Sequence, residues 1–570
     1  MNTQTSPRRY FRLQGWTFGV LAIALLMMAP ILIVFSSVLT NASEIWVHLA
    51  QTVLLRYSVN SLLLMGGVGI GSLALGVSTA WLVTMCEFPG RRVLQWMLLL
   101  PLAAPAYILA YVYTEFLEFY GPVQSLIRGW FGWTSVQDYW FPPIRSLPGA
   151  IAILSLVLYP YIYLLARNAF LELSASMVEA SRSLGCSPWL SFWRVALPLA
   201  RPAIAAGLAL VLMETLNDFG TVQYFAVDTF TVGIYRTWFT MGERIAALQL
   251  SAFLLVFVLV LLVLEQQSRR QIRYYQLGGR KVRSPYALQG WRRYLASFVC
   301  IMPILLGFGL PALLLLQMAV TDITKNFSDR FWQLAQNSLV LSGVTAAIAV
   351  VLALILAYGL RLQPSGLMNL AVRTSALGYA IPGAVIAVGV LVPLGQLDNS
   401  VDAMMRSLFG ISTGLLISGT ITALIFAYLV RFLAVSFGTV ESSLARIKPN
   451  LDDAARSLGC GVTRTLLRIH APLMGGGLLT AAILVFVDVM KELPATLIVR
   501  PFNFDTLAVQ VYQLASDERL AEAAAPALAI VLVGVLPVIL LSQQMEGRGK
   551  GKGERGKGDP GQNIDISLNN

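Results

Sequence analysis

The sequence predicts an all-α polytopic membrane protein: about 12 transmembrane helices laid out as two parallel six-span repeats. Three observations predict it. Of the 570 residues, 57% are hydrophobic and only 12% charged, with a mean hydropathy of +0.70, whereas soluble domains carry roughly a quarter charged residues. Apolar runs long enough to cross a bilayer as a helix recur along the whole chain. One polar, glycine-marked phrase also occurs twice, as "VEASRSLGCSPWLSFWRVALPLA" from Val178 and "DDAARSLGCGVTRTLLRIHAPLM" from Asp452, 274 residues apart.

The expected spans are 17–39, 59–84, 94–114, 149–168, 201–224, 246–265, 294–318, 336–360, 368–392, 412–433, 472–490 and 523–542. An even number leaves both termini on one side. Arg8, Arg9, Arg12, Arg91, Arg92 and the basic stretch from Arg269 to Arg293 all fall on that side, which makes it cytoplasmic. The opposite loops carry acids instead, among them Glu115, Glu118, Asp398 and Asp402. The net charge of +12 thus orients the chain and does not point to nucleic acid. No small-residue cleavage signal follows the first apolar run, so it reads as an uncleaved span. The loop 115–148, with "GWFGWTSVQDYWFPP", reads as an aromatic interfacial helix or lid. Cys86, Cys186, Cys300 and Cys460 fall at cytoplasmic positions, which implies no disulfide framework.

The expected organisation is a cytoplasmic N-terminal segment 1–16, a first six-span domain 17–265, a basic linker 266–293, a second six-span domain 294–542 and a disordered cytoplasmic tail 543–570. The glycine- and lysine-rich tail contains a near miss for a phosphate-binding loop. Gly551, Gly556 and Lys557 are in place, but Gly558 stands where Ser or Thr is needed, and no strand precedes it. ATP hydrolysis is therefore not expected on this chain, nor is any other enzyme chemistry.

The duplication reaches beyond the quoted phrases. Arg182-Ser183-Leu184-Gly185-Cys186 meets Arg456-Ser457-Leu458-Gly459-Cys460, Pro198 meets Pro472, and Glu214 and Asp218 meet Asp488 and Glu492. Upstream, Asn60-Ser61-Leu62 meets Asn337-Ser338-Leu339 and Pro105 meets Pro382, at a spacing of 277. Each repeated loop falls between the fourth and fifth spans of its half. Leu173 to Leu184 reads as a helix, Gly185 bends it, and Pro188 suits the first turn of a second short helix. That second helix exposes Trp189, Phe192 and Trp193, and Pro198 ends it. Such apolar elbows either dock a partner or pack on the protein's own surface.

The repeated loop resembles the "EAA" loop of ABC importer permeases, the binding-protein-dependent transport components of the inner membrane. The first copy offers Glu179-Ala180-Ser181, Gly185 and Val195-Ala196-Leu197-Pro198, and the second Asp453-Ala454-Ala455, Gly459 and Ile469-His470-Ala471-Pro472. Ser181, Asp453 and Ala471 depart mildly from the pattern, with the spacing intact. The resemblance implies the ABC importer permease (MetI-like) fold. It makes Gly185–Trp193 and Gly459–Leu467 coupling helices that dock a separate nucleotide-binding subunit. Glu179, Ala180, Gly185, Trp189, Pro198, Asp453, Ala454, Gly459, Leu467 and Pro472 are its implied coupling residues. Two elbows imply two copies of a cytoplasmic ABC ATPase that carries the ATP-Mg, with no cofactor or metal on this chain. A periplasmic solute-binding protein, a lipid surround and a bacterial inner-membrane location are implied as well.

The fused two-half form, with "ETLNDFGTVQYFAVDTFTVGIYRTWF" from Glu214, is similar to ferric-iron permeases and more distantly to thiamine permeases. Glu214 and Asp218, and Asp488 and Glu492, are four residues apart, so each pair makes a stripe on one helix face. These acids either line a translocation pathway or pair structurally, with Lys491 and Asn217 adjacent. Tyr224 and Tyr235 read as interfacial-belt residues, His470 as an interfacial loop residue, and Cys186 and Cys460 as packing residues. The rival classes are a permease for thiamine or another small solute, and a 12-span secondary transporter, which has no use for two protruding elbows.

Overall fold

The computed structural model describes residues 15–40, 43–172, 181, 183, 185, 187–272, 286–321 and 323–550. Nearly all of them are helical. The main helices are α1 (Gly15–Ser36), α2 (Leu54–Met85), α3 (Ala106–Leu117), α4 (Leu147–Glu172), α5 (Leu197–Asn217) and α6 (Arg244–Ile272) in the first half. The second half has α7 (Trp291–Thr321, with a π turn at Leu305–Gly309), α8 (Asp329–Leu362), α9 (Gly383–Phe409), α10 (Ile421–Leu444), α11 (Gly475–Met490) and α12 (Leu520–Lys550). Among the described residues, 10 helices are long and apolar enough to cross a membrane alone, and two bent pairs raise the number to 12.

The bent pairs correct two expected straight spans. Arg91–Ala103 meets Ala106–Phe131 at 90°, and Val462–Leu473 meets Gly475–Met490 at 78°. Pro101 and Pro105 remove backbone donors at the first break, and a run of three glycines loosens the second. The fifth span was expected to run to 224, but α5 stops at Asn217 and a separate short helix, Gly220–Tyr224, follows. At the other extreme, α6 continues to Ile272 and α12 to Lys550, past the expected ends at 265 and 542. A helix already nucleated extends at little cost per residue.

The two halves interleave. One core, built on α2, α3 and α4, is closed by α7 and α12 of the second half. The other, built on α8, α9 and α10, is closed by α1 and α6 of the first. Close backbone approach makes this possible. A Cβ placed on Gly534 of α12 would lie 2.0 Å from the carbonyl oxygen of Ala103 in the other half. Gly534→Ala is therefore expected to destabilise by about 1–3 kcal/mol through overpacking, read as a lowered thermal midpoint of the detergent-solubilised protein.

Two loop regions fix the ends of the bundle. At the end carrying the repeated loops (the elbow end), β1 (Cys86–Glu87) pairs in parallel with β2 (Tyr286–Ala287), tying α2 to the segment before α7. At the far end, the aromatic loop holds a helix, Pro122–Phe131, and a 3-10 turn, Val136–Asp138. Trp133 stacks between Phe131 and Tyr139. Arg145 then joins Glu118 at 2.6 Å to Glu518 of the other half at 3.6 Å. Cys86, Cys300 and Cys460 are free thiols, and Cys186 lies outside the described residues.

Candidate functional site: two elbows and a shared carboxylate cavity

The second elbow is described in full. Helix Asn450–Ser457 closes through Leu458, and Gly459 follows with φ +77°. The Gly459 amide donates to Arg456 O and the Cys460 amide to Ala455 O, both at 2.9 Å. This is the paired closure of a Schellman cap, whose left-handed residue favours glycine. In the first elbow Gly185 has φ +79°. Glu179 and Ala180 lie outside the described residues.

After each bend the chain enters a short helix that widens into a π turn, at Phe192–Ala196 and at Leu466–His470, in the same register of the repeat. The Leu197 amide bonds back to Phe192 O and the Ala471 amide to Leu466 O. Pro198 and Pro472 come next. A proline has no amide to give and crowds the carbonyl four residues back, so the wider turn accommodates it. This duplicated π turn was not foreseen.

Trp189 and Trp193 are exposed, as are Leu467, Asp453 and Ala454. Trp193 and Leu467 are equivalent in the repeat and face outward in both halves. Phe192 was expected on that face but is buried, its ring centroid 5.0 Å from that of Trp81. His470 was expected as an interfacial loop residue and is fully buried instead, with Nε2 2.9 Å from Asp452 Oδ1. Asp452 also receives Arg361 Nε and Nη2 at 2.9 and 2.8 Å, which anchors the second elbow to α8.

Glu214, Asp218, Asp488 and Glu492 come together in one cavity of about 130 Å³ where the halves meet, but not as two helix stripes. Because α5 ends at Asn217 and α11 at Met490, Asp218 lies in extended backbone beyond its helix and Glu492 in the turn beyond its own. Asp218 accepts from Thr221 Oγ1 at 2.9 Å and from the Val222 amide at 3.1 Å, holding the short helix after α5. Glu492 Oε1 accepts from Arg431 Nη1 at 3.0 Å and from the Ala495 amide at 2.9 Å. Lys491 Nζ lies 2.9 Å from Asp488 Oδ1. Glu214, half-buried, has no ion-pair partner among the described residues.

The cavity holds further groups that sequence reasoning missed. Tyr107, Tyr161, Tyr379 and Arg431 also line it. Arg431 was legible as a lone charge inside the tenth apolar run. Tyr224 and Tyr235 lie elsewhere, against Tyr111 and Phe219. The cavity is asymmetric: Arg431 and Lys491 occupy the positions that the first half gives to Val157 and Asn217. Asn217 Oδ1 instead accepts the Gly383 amide of the second half at 2.9 Å, linking the halves.

A larger cleft of about 1090 Å³ opens toward the elbow end beside α11. Thr480 and Leu484 line it, eight and four residues before Asp488 on the same helix face.

Residues 72–274 match a family described as "Binding-protein-dependent transport system inner membrane component". Among curated proteins, the chain is 26% identical over 538 residues to the Fe(3+)-transport system permease protein FbpB 2 of Haemophilus influenzae, covering 92% of this chain and 98% of that one. It is 25% identical to the ferric transport system permease protein FbpB of Actinobacillus pleuropneumoniae, over 86% of this chain and 71% of the relative. The molybdenum transport system permease protein ModB of Escherichia coli is 26% identical over 39% of this chain and 93% of its own length. The family match over residues 72–274, with similarity to permease subunits along nearly the whole chain, marks it as a multi-pass permease of the ABC-importer type.

Proposed function

We propose that this permease carries ferric iron into the cytoplasm, driven by two copies of a separate ABC ATPase and supplied by a periplasmic binding protein. The relatives aligned along its length are named for ferric transport. The observation that carries the reading is the cavity between the halves, where four carboxylates face two bases. The excess of two carboxylates, with Tyr161 and Tyr379 alongside, suits a hard cation that prefers oxygen donors. It does not suit an oxyanion, because Arg431 and Lys491 are already engaged by Glu492 and Asp488. The cleft below Asp488 extends the same face of α11 toward the cytoplasm and supports a route for release.

In this reading Glu214, Asp218, Asp488 and Glu492 line the pathway. The elbow residues Glu179, Ala180, Gly185, Trp189, Pro198, Asp453, Ala454, Gly459, Leu467 and Pro472 seat the ATPase, both termini are cytoplasmic, and ATP-Mg belongs to the partner. Glu214 tests the pathway assignment, since it has no ion-pair partner among the described residues. Glu214→Gln is expected to lower the initial rate of ferric uptake about tenfold in proteoliposomes holding the full complex, as intramembrane acids do when they line an ion route. An unchanged rate removes the carboxylate cavity from the pathway.

A further inference from the structure

Each elbow rests on an aromatic ring at the elbow end of the second span of its half, Trp81 in α2 and Tyr358 in α8. The two occupy equivalent positions, at the 277-residue spacing. Trp81 is nearly buried and packs on Phe192 of the first elbow at 5.0 Å and on Phe170 at 5.5 Å. Tyr358 is also nearly buried and packs on His470 of the second elbow at 5.6 Å, while its Oη donates to Val462 O at 3.3 Å.

A third ring completes each seat, and it comes from the opposite half. Tyr286, in β2 just before α7, lies 6.4 Å from Trp81. It is held there by the β1–β2 pairing and by the Leu288 amide, which donates to Glu87 O at 3.3 Å. Trp16, in the first turn of α1, lies 5.4 Å from Tyr358. Next to it, Thr17 Oγ1 donates to Gln363 Oε1 at 2.6 Å, and a Cβ on Gly359 would lie 2.5 Å from Val20 Cγ2. The chain segments differ, yet each leads into the first span of one half and closes the elbow seat of the other.

From this reciprocal arrangement we infer that Trp16 and Tyr286 are positioning residues that couple the two elbows across the halves. An elbow pushed by a partner displaces its platform ring, and the platform ring displaces the entering span of the opposite half. Because packed rings do not deform continuously, movement at either elbow reaches both halves together. This inference rests on the ATP-driven importer reading, which supplies the push.

The test uses the full chain in nanodiscs with its ATPase. Spin labels at the exposed far-end residues Tyr120 and Phe502, one in each half, report ATP-dependent movement without any cargo. Trp16→Ala and Tyr286→Ala are each expected to keep the co-purifying ATPase and hydrolysis within about twofold. Each is also expected to shrink the ATP-dependent distance change to less than about half, a loss of coupling and not of assembly. Trp16→Phe and Tyr286→Phe, which keep a ring, are expected to restore the change. A full distance change in both alanine variants overturns the inference. So does loss of the ATPase in alanine and phenylalanine variants alike, which marks the rings as purely structural. If the wild-type chain neither retains an ATPase nor moves with ATP, the importer reading itself fails.

Discussion

Gly459→Val is expected to abolish ATP-coupled transport while every span remains inserted. With φ at +77° the residue occupies a region that disfavours L side chains by roughly 1–2 kcal/mol, more so when they are β-branched. A Cβ there meets nothing within 4 Å, so the penalty is backbone conformation and not collision. The elbow relieves it by abandoning the left-handed turn, and the Gly459–Arg456 and Cys460–Ala455 hydrogen bonds go with it. Leu467 is then aimed elsewhere. Gly459→Asn, which tolerates the left-handed region, is expected to retain most activity, and Gly185→Val should repeat the valine result because its φ is +79°. ATPase co-purification and uptake measured together check this. Survival of both in the valine variants contradicts the elbow assignment.

Arg431→Met is expected to destabilise the protein by about 3–5 kcal/mol, the usual result of leaving one member of a buried ion pair uncompensated. Arg431 and Glu492 have side chains only 7% and 4% exposed, so no solvent screening rescues the remaining carboxylate. Gly383 packs directly against the pair, since a Cβ on it would lie 2.1 Å from Arg431 Nη1 and 2.6 Å from Glu492 Oε1. The double variant Arg431→Met, Glu492→Gln removes both charges and is expected to recover much of the loss. Thermal unfolding of the single and double variants provides the cycle, and additive losses would show that the two groups do not act as a pair.

The spans and the repeat were legible because apolar length and constant spacing are properties of the chain itself. The bends at Gly185 and Gly459 were legible because a left-handed backbone selects a residue type. What the sequence concealed depends on packing. Glu214 and Asp218 suggested one helix face, but α5 ends between them and the extended segment carries Asp218 to the cavity by another route. Phe192 and Trp193 are adjacent and both apolar, and only the position of Trp81 decides which is covered. Tyr161 and Tyr379 sit in apolar runs with no motif around them, and only the meeting of the halves places both on one cavity. His470 carried no signal of its burial, because the Asp452 that meets it has no equivalent acid in the first half, where Val178 stands.

Uptake by the reconstituted complex tests the central claim most directly. The permease, its ATPase and its binding protein are assembled in one liposome, and radiolabelled ferric iron, thiamine and molybdate are offered in parallel. ATP-dependent accumulation of ferric iron alone, lost when Glu214 and Asp488 are both neutralised, is the predicted result. Accumulation of thiamine or molybdate without ferric iron, or ferric uptake that needs no ATP, would contradict the account.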